Sequence, residues 1–405
     1  MATPPAPPST PSPAIARAGG RPKLAHIRAL DGVRGVAILA VIASHTGYGQ
    51  FGHGFYGVDV FFVLSGFLIT TLLLEERAGT GDISLRLFWL RRAARLLPAL
   101  FAICAVLLIV TGLNGIHSLR PALNPYPAHT QLLGVVAALG YVASWVEAIF
   151  HTNLNPIGHT WSLSVEEWFY VLWPLTLLAL LRRRPRLVTQ WVVALAVVAL
   201  AYRVVAETLI SSRWYLYFAP DQRACQLLAG CALGAVVFAH GPRLAARPRL
   251  VAWVGLAGTA SVAALMARPL HESGAHVPFE HFGLPFCAVA STAGIACLVL
   301  RPGFWLTRLF ELRPLVWVGR RSYGLYLYHL PILLLVSPWS GPLGRVPWKT
   351  GAVSIVLMFA AAAVSYRWLE RPVIDRMRRY EARVRSGAVA PTSVIVAVPI
   401  PVGAE

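Results

Sequence analysis

Two ionisable side chains, Arg34 and His45, lie eleven residues apart in the first apolar segment, VRGVAILAVIASH. At about 100° per residue, eleven residues make roughly three turns, so a helix presents both side chains on one face, about 16 Å apart along its axis. A charged side chain costs about 2.5–3.5 kcal/mol at mid-membrane and therefore tends to face an interior or a water-filled cavity. The spacing indicates a site that reaches both sides of a bilayer.

The residue types around His45 indicate general-base chemistry. A neutral imidazole near pH 7 can take a proton from an alcohol, and a carboxylate at its other nitrogen fixes the tautomer and the orientation. Asp59 and Glu166 lie in other apolar segments and are both candidates for this partner; the sequence leaves the choice open. His159 and His329 are predicted to reach the same outer half of the membrane. The candidate catalytic residues are therefore His45, Asp59 and Glu166.

Arginines are predicted on the inner side of the membrane. Arg34, with Arg92 and Arg95 of FWLRRAARLLPAL, forms a candidate donor-binding group, because guanidinium groups bind phosphates in a bidentate manner. Phosphates inside and a general base outside imply a donor whose charged head stays cytoplasmic while its reactive end threads inward. Acyl-coenzyme A has that shape, with a nucleotide head and a long narrow arm that ends in a thioester. It is the expected co-substrate.

Four more polar residues are candidates for lining a substrate tunnel, namely Ser162, Tyr323, Tyr326 and His329. The hydroxyl groups of Ser162 and Tyr323 can donate to a developing oxyanion. The alternative is a structural role, because polar side chains also form hydrogen bonds between membrane helices. The five cysteines show no Cys-x-x-Cys or Cys/His metal spacing, so we expect no metal site and no tightly bound cofactor.

The composition indicates a membrane protein. Of the 405 residues, 57% are hydrophobic and only 13% are charged, which lies outside the range of ordinary soluble domains. The formal net charge is +19. The basic residues nevertheless occur in short runs between apolar segments, and this pattern is typical of cytoplasmic loops. We therefore expect a lipid bilayer, and no nucleic acid, as the partner of the basic surface.

Eleven apolar windows of spanning length divide the chain. They lie near residues 33–48, 55–74, 96–113, 131–150, 160–181, 187–207, 223–239, 250–267, 282–300, 315–336 and 349–369. Keeping every basic run on the cytoplasmic side allows ten of them to cross, and the weakest, 131–150, is predicted to be re-entrant or interfacial. We expect an all-α polytopic helical bundle with about ten transmembrane helices and both termini in the cytoplasm.

The domain organisation follows from the same pattern. Residues 1–25, rich in Pro, Ala and Ser, are expected to form a disordered cytoplasmic tail. Residues 26–375 are expected to form the membrane domain, and residues 376–405 a basic and then flexible cytoplasmic tail. The expected location is the bacterial cytoplasmic membrane, which the chain crosses several times.

The chain resembles the integral-membrane acyltransferase-3 family in six motifs that follow one another in the expected order. The motifs are LDGVRGVAILAVIASH, GVDVFFVLSGFLIT, FWLRRAARLLPAL, HTWSLSVEEWFYVLWP, GRRSYGLYLYHLPI and SYRWLERPV. The resemblance implies ten transmembrane helices, an acyl-CoA donor and O-acylation of a sugar hydroxyl. It also implies that the histidine of the R-x10-H motif, here His45, is essential with Arg34 as its partner. Arg92 and Arg95 of the R-x-x-R motif carry a donor-binding or structural role by the same resemblance.

The leading hypothesis is an acyl-CoA-dependent membrane O-acyltransferase. It moves a small acyl group, expected to be acetyl, to a hydroxyl of an extracytoplasmic or lipid-linked cell-envelope glycan. His45 acts either as a general base on the acceptor or as the carrier of a covalent acyl group. An alternative acceptor is a macrolide or another small glycosylated metabolite. An alternative from a different class is a proton-coupled transporter that uses the ionisable residues as a relay.

Overall fold

A computed structural model describes residues 15–18, 21–24, 27–46, 52–113, 127–268, 280–336 and 346–387. Sixteen α-helices make up most of this part of the chain. They are α1 (Arg28–His45), α2 (Tyr56–Thr80), α3 (Leu85–Leu113), α4 (Ala128–Leu139), α5 (Ala143–Phe150), α6 (Trp161–Arg183), α7 (Val188–Leu209), α8 (Arg213–Phe218), α9 (Pro220–Ala245), α10 (Pro248–Met266), α11 (Glu280–Leu300), α12 (Trp305–Phe310), α13 (Arg313–Arg320), α14 (Ser322–Val336), α15 (Trp348–Ser365) and α16 (Arg371–Arg385).

Short irregular turns extend several of these helices, and local sequence explains where the helices begin and end. A 3-10 turn at Gly158–Thr160 leads into α6, and a π-helical turn at Tyr366–Glu370 joins α15 to α16. Prolines occupy the first turn of α9, α10, α13 and α16, where the missing N–H has no helical partner in any case. Gly81 ends α2 with a φ of 82° and donates its N–H to the Arg77 carbonyl.

The described helices confirm the all-α polytopic class. Eight continuous helical segments are long and apolar enough to cross a membrane. They are Tyr56–Thr80, Leu85–Leu113, Gly158–Arg183, Pro185–Leu209, Arg213–Ala245, Pro248–Met266, Phe282–Leu300 and Trp348–Arg385. The helices α1 and α14 are shorter, with 18 and 15 residues, and they would complete the predicted ten. The number ten and the cytoplasmic termini stay predictions.

The window at 131–150 is divided in two. Its helices α4 and α5 have 12 and 8 residues, and Tyr141 between them has a φ of 52°. A crossing helix needs about 20 residues, so neither helix spans a bilayer by itself. This division agrees with the prediction of a segment that enters or lies on the membrane without crossing it.

Two short stretches of residues 1–25, for which a disordered tail is predicted, are among the described residues. Ile15–Ala18 and Arg21–Leu24 pair as two antiparallel strands, with Ile15 opposite Leu24. These are the only strands in the part of the chain that the structure describes. The other residues of that tail lie outside the described residues. The same holds for residues 388–405 of the expected C-terminal tail.

Close helix packing depends on small residues, as between α2 and α9. A Cβ atom on Gly66 would lie 1.9 Å from the carbonyl oxygen of Leu227, and one on Gly230 would lie 2.0 Å from the carbonyl oxygen of Val63. No side chain fits at either position, so the two backbones touch directly. Such close approach through small residues is the usual basis of helix association in membranes.

The helix that carries Arg34 and His45 lies inside the bundle. The helix α1 packs against α2, α12, α13 and α14, and its Ala37, Ile38 and Val41 are at most 1% exposed. A Cβ atom on Gly35 would lie 2.3 Å from the carbonyl oxygen of Leu315 in α13. Two polar side chains of α1 contact neighbouring helices: Asp31 pairs with Arg320 of α13, and the ring of His45 lies against that of His329 of α14.

We expect Gly66→Ala to destabilise the protein by about 1–3 kcal/mol, because the added methyl group must separate α2 from α9. A matched control is Gly112→Ala in α3, since no atom lies within 4 Å of the Cβ position there. The measurement is thermal unfolding of both variants in detergent. A Gly66→Ala variant as stable as the Gly112→Ala control would contradict the close packing of α2 on α9.

Candidate active site

Three histidines from separate elements meet at one place. His45 ends α1, His159 lies in the Gly158–Thr160 turn before α6, and His329 lies in α14. The ring centroid of His329 is 5.0 Å from that of His45 and 5.0 Å from that of His159, in edge-on arrangements at 71° and 74°. We call these three residues the histidine cluster. The convergence of His45 and His329 that the sequence suggested is present in the structure.

Backbone carbonyl groups fix the tautomers of His45 and His329. The Nδ1 atom of His45 lies 2.8 Å from the Val41 carbonyl oxygen, one turn earlier in α1. The Nδ1 atom of His329 lies 2.6 Å from the Tyr326 carbonyl oxygen. A carbonyl oxygen only accepts hydrogen bonds, so Nδ1 carries the proton in both rings. The Nε2 atom of each ring therefore presents a lone pair.

His159 is fixed in the same way, but by a carbonyl group of another helix. Its Nε2 atom lies 3.2 Å from the Leu327 carbonyl oxygen of α14. That carbonyl group has no helical donor, because residue i+4 is Pro331, which lacks an N–H. The bond thus ties the turn before α6 to α14. It leaves Nδ1 of His159 as the lone-pair nitrogen.

The lone-pair nitrogens of the two buried histidines have no hydrogen-bond donor among the described residues. These nitrogens are Nδ1 of His159 and Nε2 of His329. His329 is fully buried and His159 is 6% exposed, whereas His45 is only partly buried. His45 is therefore the member of the cluster that a substrate can reach most directly. A neutral imidazole with a free lone pair is the form that acts as a general base.

Asp59 is not a partner of His45 in the structure. Its Oδ1 atom accepts hydrogen bonds from Arg223 at 2.9 Å and from Gln226 at 2.8 Å, both in α9. Asp59 and Arg223 are each 1% exposed. Arg223 also stacks over the rings of Trp161 and Tyr217, at 5.0 and 4.4 Å. Asp59 thus belongs to a buried ion pair that joins α2 to α9.

Glu166 is not a partner of His45 either. Its Oε1 atom accepts a hydrogen bond from Ser65 at 2.7 Å, and its Oε2 atom accepts one from Tyr170 at 3.0 Å. Arg92 and Arg95 are among the charges near it. The Val41 carbonyl group, and not a carboxylate, is the partner of His45 Nδ1, because the hydrogen bonds of Asp59 and Glu166 go to other residues.

The three arginines predicted to bind the donor lie near one another. Arg34 forms a 2.9 Å ion pair with Asp31. Arg92 and Arg95 are close enough for their positive charges to repel that of Arg34. Arg92 stacks over Tyr170 at 5.3 Å. We call Arg34, Arg92 and Arg95 the arginine group. Its member Arg34 lies in the first half of α1, about three turns from His45 at the other end of that helix.

Some of the predicted tunnel residues contact the histidine cluster, and Tyr323 contacts the helix that carries Arg92 and Arg95. The Tyr326 hydroxyl donates to the His159 carbonyl oxygen at 2.8 Å and lies 2.6 Å from Ser162 Oγ. Tyr326 and Ser162 therefore hold the turn that carries His159. The Tyr323 hydroxyl donates to the Leu96 carbonyl oxygen of α3 at 2.7 Å. In this structure Tyr323 joins α14 to the helix that carries the arginines.

The chain is similar in sequence to one protein family and to several known proteins. A family model described as an acyltransferase domain matches residues 27–367. The peptidoglycan O-acetyltransferase OatA of Listeria monocytogenes is 32% identical over 361 residues, which are 86% of this chain and 56% of the relative. The O-acetyltransferase OatA of Staphylococcus aureus is 30% identical over 93% of this chain and 62% of the relative. A putative peptidoglycan O-acetyltransferase of Bacillus subtilis, YrhL, is 31% identical over 89% and 57%.

The matches cover most of this chain but a smaller share of the curated relatives. The family model covers the helices that hold the histidine cluster and the arginine group. The chain spans less than two thirds of the length of the curated relatives that it matches. No solved structure matches the chain. With its apolar helices, the chain is a multi-pass membrane protein, and it belongs to the acyltransferase-3 family.

Proposed function

We propose that this chain is a membrane O-acyltransferase that uses acyl-CoA to acetylate a hydroxyl of a cell-envelope glycan. The observation that carries the proposal is the histidine cluster, in which backbone carbonyl groups fix the tautomers of three imidazoles, so that each neutral ring has one nitrogen with a free lone pair. Relatives bear the names of peptidoglycan O-acetyltransferases. Their names support an extracytoplasmic or lipid-linked glycan as the acceptor class.

His45 is the proposed general base. Its Nε2 lone pair takes the proton of the acceptor hydroxyl while that oxygen attacks the thioester carbonyl carbon. The new C–O bond forms, the C–S bond breaks, and the proton on Nε2 passes to the departing thiolate of coenzyme A. The Val41 carbonyl group accepts from Nδ1–H and stabilises the imidazolium that forms between the two proton transfers. His45 is thereby returned to its starting tautomer.

A covalent relay is the second route that the cluster permits. The Nε2 atom of His45 attacks the thioester first, coenzyme A leaves, and the acyl group then passes to the acceptor hydroxyl. The second step needs another base, because Nε2 of His45 is then acylated. His329, with an unpartnered Nε2 and its ring 5.0 Å away, is the nearest candidate. A hydroxylamine-labile acyl group on the protein distinguishes this route from direct transfer.

The arginine group is the proposed site for the phosphates of the donor. Three guanidinium groups lie together there, and nearby carboxylates such as Asp31 and Glu166 compensate only part of their charge. Guanidinium groups form strong bidentate hydrogen bonds with phosphate oxygens. The arm of coenzyme A would then run along α1 toward His45. No tightly bound cofactor is part of the proposal.

His45→Ala is expected to lower kcat about 10²–10⁴-fold, the usual contribution of a general base. The assay follows thiol release from acetyl-CoA together with acetate bound to the glycan, using purified protein in lipid nanodiscs. A matched control is His240→Ala in α9, because His240 is exposed and lies outside the histidine cluster. Equal activities of the two variants, with equal melting temperatures, would contradict the role of His45.

Arg92→Ala is expected to raise the KM for acetyl-CoA about tenfold or more, since it removes a charge-assisted phosphate contact. The internal comparison is S-acetylpantetheine, which carries the same thioester without phosphates and should be used equally well by both proteins. Arg308→Ala, an exposed arginine of α12, serves as the control variant. If Arg92→Ala impairs both donors equally, the arginine has a structural role and the donor site lies elsewhere.

Asp59→Asn is expected to lower stability by about 3–5 kcal/mol, because it leaves Arg223 buried without its counter-charge. Replacing both partners, as in Asp59→Leu with Arg223→Met, should recover most of that loss. The measurements are the melting temperature and the kcat of the folded fraction. A stable Asp59→Asn protein with a strongly reduced kcat would instead make Asp59 the functional partner of His45.

A further inference from the structure

An open groove lies at the end of α5 and α7 and the start of α8. Its volume is about 450 Å³, and it is lined by Ala148, Ile149, His151, Tyr202, Ile210, Ser212 and Tyr215. We call it the outer groove, because the predicted topology places these helix ends on the extracytoplasmic side. None of its lining residues has a part in the proposed acyl transfer.

A carboxylate behind the groove wall, that of Asp221, holds the hydroxyl group of Tyr202. The Tyr202 hydroxyl donates to Oδ2 of Asp221 at 2.7 Å, and Gln222 donates to the same oxygen at 2.7 Å. Gln222 also donates to the Tyr202 hydroxyl oxygen at 3.0 Å. The Tyr202 ring is thus fixed at its polar end, and Tyr202 and Tyr215 both form part of the groove wall.

Beneath the tyrosines lie acceptors that lack a donor. Oδ1 of Asp221 and Oε1 of Gln222 are buried and have no hydrogen-bond partner among the described residues, and Gln222 as a whole is fully buried. Neither Asp221 nor Gln222 is among the residues that line the groove, so these two atoms lie behind the groove wall.

The rim of the groove adds further polar and aromatic groups. Nε2 of His151 lies 3.0 Å from Ser212 Oγ, and the imidazole of His151 stacks with Trp214 at a centroid distance of 6.1 Å. A sugar ring has apolar C–H faces and an edge of hydroxyl groups that both donate and accept. Rigid aromatic faces next to a few fixed polar groups match that chemistry. An open groove, unlike a closed cavity, also admits a chain longer than one ring.

The outer groove and the histidine cluster share their supporting elements. The helix α5, whose end lines the groove, packs on the Gly158–Thr160 turn that carries His159. The helix α8 supplies Tyr215 to the groove, and its Tyr217 contacts Trp161 at a ring distance of 5.4 Å. Trp161 is two residues from His159. The groove is therefore connected through α5 and α8 to the segment that carries His159.

We propose that the outer groove binds the saccharide chain of the acceptor, with sugar rings on the faces of Tyr202 and Tyr215. This inference rests on the proposed function, because it assigns the glycan a position relative to His45. The groove selects for sugar rings, and the histidine cluster acts on the hydroxyl that the bound chain presents. Tyr202 and Tyr215 are specificity residues and take no part in proton transfer.

The test measures binding of fluorescently labelled glycan strands, prepared from purified peptidoglycan, to the full-length protein in nanodiscs without any acyl-CoA. Tyr215→Ala is expected to weaken binding about tenfold, whereas Tyr215→Phe, which keeps the ring, should bind within a few fold of the wild type. Trp253→Ala, at a 72% exposed aromatic residue of α10, is the control for loss of an exposed ring. In the transfer assay, Tyr215→Ala should raise the KM for the glycan and leave the melting temperature unchanged.

The outcomes separate this inference from the proposed function. Wild-type protein that transfers acetyl to the strands, with Tyr202→Ala and Tyr215→Ala binding and reacting as the wild type does, would overturn the groove alone. Wild-type protein that does not bind the strands would also overturn it and would favour a protein partner in the groove. Binding that Tyr215→Ala weakens, without any acetyl transfer, would support the groove and overturn the proposed function.

Discussion

The hydrogen bond from His159 to the Leu327 carbonyl group is the constraint on which the site depends. Pro331 frees that carbonyl group by removing the N–H that would otherwise occupy it. The bond holds the turn before α6 against α14 and thereby places His159 beside His329. A backbone carbonyl group also fixes the tautomer of His45, but this carbonyl group belongs to the same helix as the histidine. Backbone groups do not titrate, and in the described part of the chain no carboxylate hydrogen-bonds to any of the three rings.

The buried carboxylates of the bundle pair with groups outside the histidine cluster. The Asp59–Arg223 pair joins α2 to α9, and Glu166 lies between Ser65, Tyr170 and the arginine group. Neither carboxylate hydrogen-bonds to the histidine cluster. A negative charge beside His45 would favour its protonated form and remove the lone pair that a general base requires. Separating the carboxylates from the imidazoles therefore suits base chemistry near neutral pH.

The sequence predicted the elements of the site better than their pairings. Hydropathy identified the helices, and the intramembrane cost of ionisable groups singled out His45, His159 and His329, which do meet. The partner of His45 was not predictable, because it depends on which way α2 turns its Asp59 relative to Arg223, 164 residues later in the chain. One signal was visible in the sequence: a proline four residues after Leu327 marks a free carbonyl group, but not the side chain that occupies it.

The role of His45 is tested most directly by the base-labile acetate on purified envelope polysaccharide. Three strains are compared: a deletion of the gene, and the deletion complemented with either the wild-type chain or His45→Ala at matched membrane levels. We expect the wild-type chain to restore the acetate lost on deletion and His45→Ala not to restore it. Full restoration by His45→Ala would contradict the assignment of His45 as the base. Acetate that is unchanged by the deletion would contradict the envelope glycan as the acceptor.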